Sequence, residues 1–375
     1  MKRGWKVKVW ADVLEIRSGR NQKQVISSDG TYPILGSAGK VMGYATEYLC
    51  EANTTIIGRK GTIDKPLFIE TNFWNVDTAF GLVASEELNN RFLHYFCLGY
   101  NFQKHNKGTT LPSLVKKDLV KIQIPVPPLS EQEAIVEVLD KAFTAIDQAK
   151  ANLEQNIANA KELFQSKLNQ IFSQKGEGWV EKTLGDVGEV QTGTTPPTKD
   201  KTNYGDFLPF VKPAHFRPDG SIVHGDSMLS KSGLSKGRLF QANSVLMVCI
   251  GATIGKTGFT EVKVSSNQQI NALTPTTDFI AKLLYYALIS PYVQHQVIQV
   301  GKSAQATLPI INKSKWQKLS INIPTSLDEQ KRIVNNLEDI KTKTMQLQTH
   351  YQTKLASLDE LKKSILQKAF AGELT

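Results

Sequence analysis

Side chains able to engage a polyanion gather in four short polar stretches of this chain. Two lie early, Arg17-Ser18-Gly19-Arg20-Asn21-Gln22-Lys23 and Gln103-Lys104-His105-Asn106-Lys107-Gly108-Thr109. Two lie late: Gln191-Thr192-Gly193-Thr194-Thr195 followed by Lys199 and Lys201, and Gly301-Lys302-Ser303-Ala304-Gln305-Ala306-Thr307. Lysine and arginine neutralise phosphates, whereas arginine, asparagine, glutamine and threonine can also tell base edges apart in a major groove. The candidate DNA-contacting residues are therefore Arg17, Arg20, Asn21, Lys23, Lys104, His105, Asn106, Lys107 and Thr109 in the first half. In the second they are Thr192, Thr194, Thr195, Lys199, Lys201, Lys302, Ser303, Gln305 and Thr307. A solvated polar turn accounts for any one stretch equally well; the Gly108 and Gly301 stretches lean toward contact because each precedes a matching Leu-Pro.

Catalytic chemistry finds no comparable support. Gly251-Ala252-Thr253-Ile254-Gly255-Lys256-Thr257 has three residues between its glycines where a phosphate-binding GxxxxGK[ST] loop needs four, so it reads as a strand end and turn. No Asn-Pro-Pro-aromatic tetrad, glycine-rich cofactor fingerprint or GxSxG is present. The six histidines never fall at i,i+4, and Cys50, Cys97 and Cys249 form no CxxC pair, so neither a metal site nor a disulfide framework is expected. No catalytic residue is assigned. The net charge of +10 favours nucleic acid or an acidic membrane face. No secretion signal is expected from Met1 to Lys6, which has charges but no apolar run behind it, and Leu283 to Val300, within the longest stretch free of Lys, Arg, Asp and Glu, carries Pro291, Gln294, His295, Gln296 and Gln299 and would make a poor membrane span. A soluble cytoplasmic protein is expected.

The elements that must position these stretches are written twice. Gly4-Trp5 returns as Gly178-Trp179, Tyr32-Pro33-Ile34-Leu35 as Leu208-Pro209-Phe210-Val211, and Thr62-Ile63-Asp64-Lys65 as Thr253-Ile254-Gly255-Lys256. Leu111-Pro112 answers Leu308-Pro309, and from Glu131 to Phe172 the offset to the second copy stays fixed at 198. Each half thus has a part whose spacing drifts, with short β-rich runs and Gly, Pro and Asn turns, then a stretch without insertion. The first part reads as an α+β domain with many short strands. The second follows prolines, lacks Pro and Gly, and predicts one uninterrupted helix capped by Ser130 or Asp328.

Apolar residues in the helices step by four and three: Ile135, Leu139, Ile146, Leu153, Ile157 and Phe164 in the first, and Ile333, Leu337, Ile340, Leu347, Tyr351, Leu355 and Leu358 in the second. That spacing is a coiled-coil seam, and two copies related by a pseudo-twofold axis would run antiparallel with one globular domain at each end. The same seam residues are the candidates for docking a partner. Residues 1–129 and 173–327 each carry a net charge of +6, against −3 for 130–172 and +2 for 328–370, so the anion is expected at the globular parts. The boundaries read as 1–129, 130–175, 176–327 and 328–375. A helical assembly scaffold with incidental basic domains remains an alternative at this point.

In this duplicated order the chain resembles the specificity subunits of type I restriction-modification systems over essentially its whole length. The resemblance rests on Ile124-Pro125-Val126-Pro127-Pro128-Leu129-Ser130-Glu131-Gln132 and its weaker copy from Ile323 to Ile333. It rests also on Gly178-Trp179, Leu184-Gly185-Asp186 and Thr192-Gly193-Thr194-Thr195-Pro196, and on the ending Ser364 to Leu374. It implies two target recognition domains in an α+β fold, each reading one half of a split double-stranded DNA site and separated by two long antiparallel coiled-coil helices. It further implies a non-catalytic subunit docking two DNA methyltransferase (modification) subunits, with motor-nuclease subunits joining the assembly. Those partners would bring S-adenosylmethionine, ATP and Mg, with adenine-N6 methylation and ATP-dependent cleavage, and this chain would bind no cofactor itself. A recognition arm of a fused restriction-methylation enzyme is the neighbouring alternative.

Overall fold

The computed structural model describes residues 2, 4–174, 176–302 and 309–374. Two compact units emerge, one built from residues 1–154 with 352–375 and the other from 155–351. Each takes part of both long helices, which are Leu129–Phe172 and Leu327–Ala371.

The strands of the first unit are β1 (Lys6–Val9), β2 (Leu14–Ser18), β3 (Tyr32–Leu35), β4 (Val41–Ala45), β5 (Thr54–Gly58), β6 (Leu67–Ile69), β7 (Trp74–Asn75), β8 (Ala79–Ala84) and β9 (Gln123–Val126). They form an antiparallel sheet in the order β2-β8-β5-β6, a smaller sheet β4-β3-β7 in which β3 and β7 run parallel, and an antiparallel pair β1-β9. Every residue of β5 is buried, as expected of a strand covered on both faces. Because successive side chains point to opposite faces, Ile57 joins the large core with Trp10, Phe80 and Leu82, while Ile56 joins a separate one with Leu35, Cys50 and Phe73. The helix Asn90–Gly99 covers the first of these cores, its start capped by Asn89, whose Oδ1 accepts from the N–H groups of Arg91 and Phe92 at 2.9 and 3.0 Å.

The second unit repeats the scheme with β10 (Trp179–Thr183), β11 (Gly188–Thr192), β12 (Tyr204–Val211), β13 (Met228–Leu229), β14 (Ser244–Val248), β15 (Thr257–Thr260), β16 (Ser265–Ser266), β17 (Ile270–Pro275) and β18 (Ser320–Pro324). Its sheets are β11-β17-β14-β15, β13-β12-β16 and β10-β18, the same topology strand for strand. The central strand again divides its side chains, Val245 and Met247 to one core and Leu246 and Val248 to another. The matched tetrapeptides at Thr62 and Thr253 are the turns after β5 and β14. The halves differ most between the strands of the small sheet, where residues 36–40 join β3 to β4 but 212–227 join β12 to β13.

Both long helices start one residue before the expected caps. Ser130 and Asp328 therefore sit inside the first turn, and before the second helix Ser326 Oγ accepts from Glu329 N–H at 3.5 Å. A single glutamine pins each helix start to the domain that precedes it. Gln132, fully buried, donates through Nε2 to the carbonyls of Glu87 and Pro127, both at 2.9 Å, and accepts from Asn89 N–H at 2.7 Å. Gln330 does the same with Asp278 O and Pro324 O at 3.0 Å and Ile280 N–H at 2.9 Å.

Within the first unit Asp147 pairs with Lys362 and Lys150 with Asp359, so the two helices run antiparallel there. In the second unit Leu168 and Phe172, near the end of the first helix, share a core with Ile333 and Leu337, near the start of the second, as an antiparallel pair would place them. Of the seam residues, Ile135, Leu139, Ile146, Ile333 and Leu337 are buried, and Leu153, Ile157, Phe164, Ile340, Tyr351, Leu355 and Leu358 are half-buried. Leu347 departs from the expected seam: it is 43% exposed, next to a Thr344 only 4% exposed. A step of three residues from Thr344 falls about 60° short of a full turn and a step of four passes it by about 40°, so Gln348 takes the covered place.

Candidate nucleic-acid interface

At one end of the four-stranded sheet of the first unit, the loop after β2, the turn between β5 and β6, and residues 104–113 are tied together by backbone hydrogen bonds. Gly19 N–H donates to Ala79 O and Arg20 N–H to Asn75 O, both at 3.0 Å, and Trp74 Nε1 donates to Arg20 O at 3.1 Å. Arg59 and Lys60 both donate their N–H to Thr78 O, at 2.8 and 3.1 Å. On the other side Gly61 N–H reaches Pro112 O at 2.9 Å and Leu114 N–H reaches Arg59 O at 2.8 Å. The strip Arg59–Gly61 thereby brings the Arg17–Lys23 and Gln103–Thr109 stretches to one edge, although about eighty residues separate them in sequence. Gly19 is required by close approach: a β-carbon there would stand 1.9 Å from Val76 O.

Not every candidate side chain is equally available at this edge. Arg20, Asn21, Lys23, Lys104, Lys107 and Thr109 are exposed. Arg17 is held by Glu15 at 3.0 Å, and Lys107 Nζ lies 3.5 Å from Asp118. Asn21 Oδ1 accepts from Lys23 N–H at 3.0 Å, and Asn106 Oδ1 accepts from Gly108 and Ser113 N–H at 2.9 Å, so both asparagines shape their loops. His105 stacks on Tyr100, with a ring nitrogen 2.7 Å from the Tyr100 hydroxyl. Arg59, Lys60 and Lys65 join this edge with no motif in the sequence to mark them. Arg59 lies over the Phe80 ring and reaches Asp77 O at 3.3 Å, while Lys60 and Lys65 are exposed. Their turn was legible only as a repeated strand end, because the second copy carries few charges there.

The second unit builds the same edge. Gly193 N–H donates to Ile270 O and Thr194 N–H to Ser266 O at 2.9 Å, and Gly251 N–H reaches Pro309 O at 3.1 Å. Gly193 repeats the close approach of Gly19, its β-carbon position 2.1 Å from Asn267 O. Thr192 Oγ1 donates to Asn271 Oδ1 at 2.7 Å and Thr195 Oγ1 to Gln268 Oε1 at 2.6 Å, so the threonines are tied to an amide cluster that no motif in the sequence marks. Lys199 and Lys201 are exposed and Thr194 is half-buried. Lys302 ends the helix Pro291–Lys302, and Ser303, Gln305 and Thr307 lie outside the described residues, as does the Lys302 side chain.

Buried thiols are poor nucleophiles here, since desolvation pushes Cys50 and Cys249 up to about 12. Among the described residues no group of three His, Cys, Asp or Glu side chains could hold a metal ion, and no helix is long and apolar enough to cross a membrane. What the two edges offer is a set of exposed cations, hydroxyls and amides on a hydrogen-bonded frame.

Residues 2–159 and 176–357 match the family model of the type I restriction modification DNA specificity domain. Among curated relatives, the EcoR124I/EcoR124II specificity subunit of Escherichia coli is 27% identical over 339 residues, covering 84% of this chain and 80% of that protein. The EcoBI specificity subunit of Escherichia coli is 25% identical over 328 residues, covering 78% and 67%. In fold, the chain aligns with the HsdS subunit of Thermoanaerobacter tengcongensis at a TM-score of 0.63 and 21% identity, covering 100% of this chain and 98% of that one. A chain from a structural study of type I R-M system assembly aligns at 0.79 and 20% identity, covering 100% and 99%.

Proposed function

This chain belongs to the type I restriction-modification DNA specificity family, its role is DNA sequence recognition, and we propose that the loop edge of each unit is the surface that reads one half of a bipartite duplex site. The observation that supports this is the duplication of the edge itself. Two sheets of identical strand order present loops pinned by equivalent backbone bonds, at Gly19 and Gly193 and again at Gly61 and Gly251, while the side chains on those loops differ. A constant frame with variable side chains is what reading two different half-sites requires. Lys23, Lys60, Lys104 and Lys107 would position the duplex through phosphates, and Arg20, Thr194 and Thr195 with Gln268 would face base edges. Joining the two readers in one chain makes the second half-site contact intramolecular, so modest readers give one tight, gap-dependent interaction.

On the same reading the long helices set the gap and dock two modification subunits, which bring S-adenosylmethionine and methylate adenine at N6. Motor-nuclease subunits using ATP and Mg would complete the assembly in the cytoplasm, and catalysis rests with those partners. The test is to map methylated adenines in host DNA with and without this chain, then with Lys104→Ala/Lys107→Ala. The double variant is expected to weaken binding and to lower the salt slope by about one to two units, with the half-site of the second unit unchanged. Normal methylation at both halves with an unaltered salt slope would remove that loop from the interface.

A further inference from the structure

The duplication builds one cleft twice, at the outer strand of each four-stranded sheet, and only one copy is closed. The equivalence holds residue by residue. Phe68 of β6 faces Thr55 as Phe259 of β15 faces Val245, and Thr55 and Val245 face Leu82 and Leu273 in turn. Arg91 follows the Asn89 that binds Gln132, as Lys282 follows the Ile280 that binds Gln330, and at the fixed offset of 198 Asp140 answers Glu338. Arg91 accordingly pairs with Asp140 at 2.9 Å and lies over the Phe68 ring, while Lys282 pairs with Glu338 at 3.5 Å and lies over the Phe259 ring.

In the second unit the chain's own 212–227 connection closes the cleft. Gly220 O accepts from Phe259 N–H at 3.3 Å, and Asp219 O accepts from the Tyr285 hydroxyl at 3.4 Å and from Lys341 Nζ at 3.0 Å. Glycine is needed at that tip, where φ is +84° and a β-carbon would stand 1.8 Å from the Tyr285 hydroxyl. The β3–β4 connection of the first unit has only residues 36–40, and none of them lines its cleft. The receiving groups are nonetheless in place. By the shared register Phe68 N–H points away from its sheet, and it meets no acceptor among the described residues. His94 takes the place of Tyr285 and lines the cleft, its ring without a hydrogen-bond partner among the described residues. Phe143 takes the place of Lys341, and Lys362 brings an ammonium to 4.7 Å from that ring. An open strand edge bordered by an imidazole and a cation suits a polypeptide turn that brings consecutive carbonyls. Resting on the reading above that the long helices dock modification subunits, we infer that the cleft of the first unit takes a glycine-tipped turn of one modification subunit, as the second unit takes Asp219 and Gly220. Both long helices line the cleft, through Thr144 on the first and Leu366 on the second, so it lies on the docking elements. A second copy of this chain is the poorer occupant, because its equivalent turn is already bonded at three points.

The test follows backbone amide hydrogen exchange in the full chain, alone and with its modification subunit. Exchange at the Phe68 amide is expected to slow about 10-fold or more in the complex, while the Phe259 amide, already bonded to Gly220, changes little. Thr144→Trp fills the cleft from an exposed position. It is expected to weaken binding of one modification subunit about 10-fold and to remove the Phe68 protection, whereas Thr144→Ser keeps both. The inference is overturned if the complex forms with Phe68 unprotected, or if Thr144→Trp leaves affinity and protection intact. It is overturned equally if Phe68 becomes protected in the chain alone as its concentration rises, which would give the cleft to self-association. Failure of the underlying docking reading would look different, because the unaltered chain would then bind no modification subunit and the inference would fall with it.

Discussion

Gln132 and Gln330 show what a single side chain contributes where helix meets domain. Each satisfies two backbone carbonyls and one N–H that are shut away from water, so shortening it strands several polar groups at once. Gln132→Ala is expected to cost about 2–4 kcal/mol, and Gln132→Glu at least as much at neutral pH, because a buried carboxylate would then face two carbonyl oxygens. Denaturant midpoints of the two variants check this, and a loss below about 1 kcal/mol for both would show the joint to be redundant. His94 adds a pH dependence to the same unit. Burial, reinforced by the Arg91 charge, brings its pKa from 6.5 down to about 4. The folded state therefore resists a proton that the unfolded chain accepts, so the contribution is intact above pH 6.5 and is lost as the pH falls toward 4. His215 and His224, also lowered by burial, act in the same direction in the second unit. A His94→Gln variant should lose less stability than the parent between pH 7 and pH 5, measured by denaturant unfolding, and an equal loss would mean His94 is not the group responsible.

At the scale of elements, the helix pair is held by its ends. Leu139 and Leu337 are fully buried, whereas Leu153, Ile157, Leu355 and Leu358 keep partial contact with water and the Lys150–Asp359 pair has an exposed carboxylate. Leu139→Ala or Leu337→Ala should each cost about 2–5 kcal/mol, while Asp359→Asn should change the thermal midpoint little and not at all in high salt. The seam was legible because a 4-3 alternation survives wherever both helices are packed. It failed at Leu347, where 3.6 residues per turn carried the chain off a strict heptad. The repeat likewise foretold which strands correspond, β3 with β12 among them, since Pro33 and Pro209 mark equivalent places. What could not be read were the two-residue strands β7 and β16, paired in parallel with partners roughly forty to fifty-five residues away. Such pairing leaves no local periodicity. For the same reason the Arg59–Gly61 strip, whose role is entirely in long-range backbone bonds, looked like an ordinary turn.

For the whole molecule, the consequence of writing a reader twice is that, in the proposed function, the distance between half-sites becomes a property of the helices. The least disruptive place to alter that distance is between Glu154 and Gln155, where the chain passes from one unit to the other and the neighbouring Leu153 and Ile157 are only half-buried. Four residues inserted there, with four more between Tyr351 and Gln352 where the second helix makes the same passage, Ala-rich to keep both helices, add about 6 Å. The buried ends, Ile135 with Leu139 and Leu168 with Phe172, can keep their own partners because each lies wholly within one unit. Each unit should therefore still fold and read its own half, and the change should fall on the gap, lengthening the preferred spacing by about one to two base pairs at about 3.4 Å each. Methylation-site mapping of the insertion variant decides the matter: unchanged half-sites with a longer gap support a helical ruler, and unchanged half-sites with an unchanged gap mean the spacing is set by the partners instead.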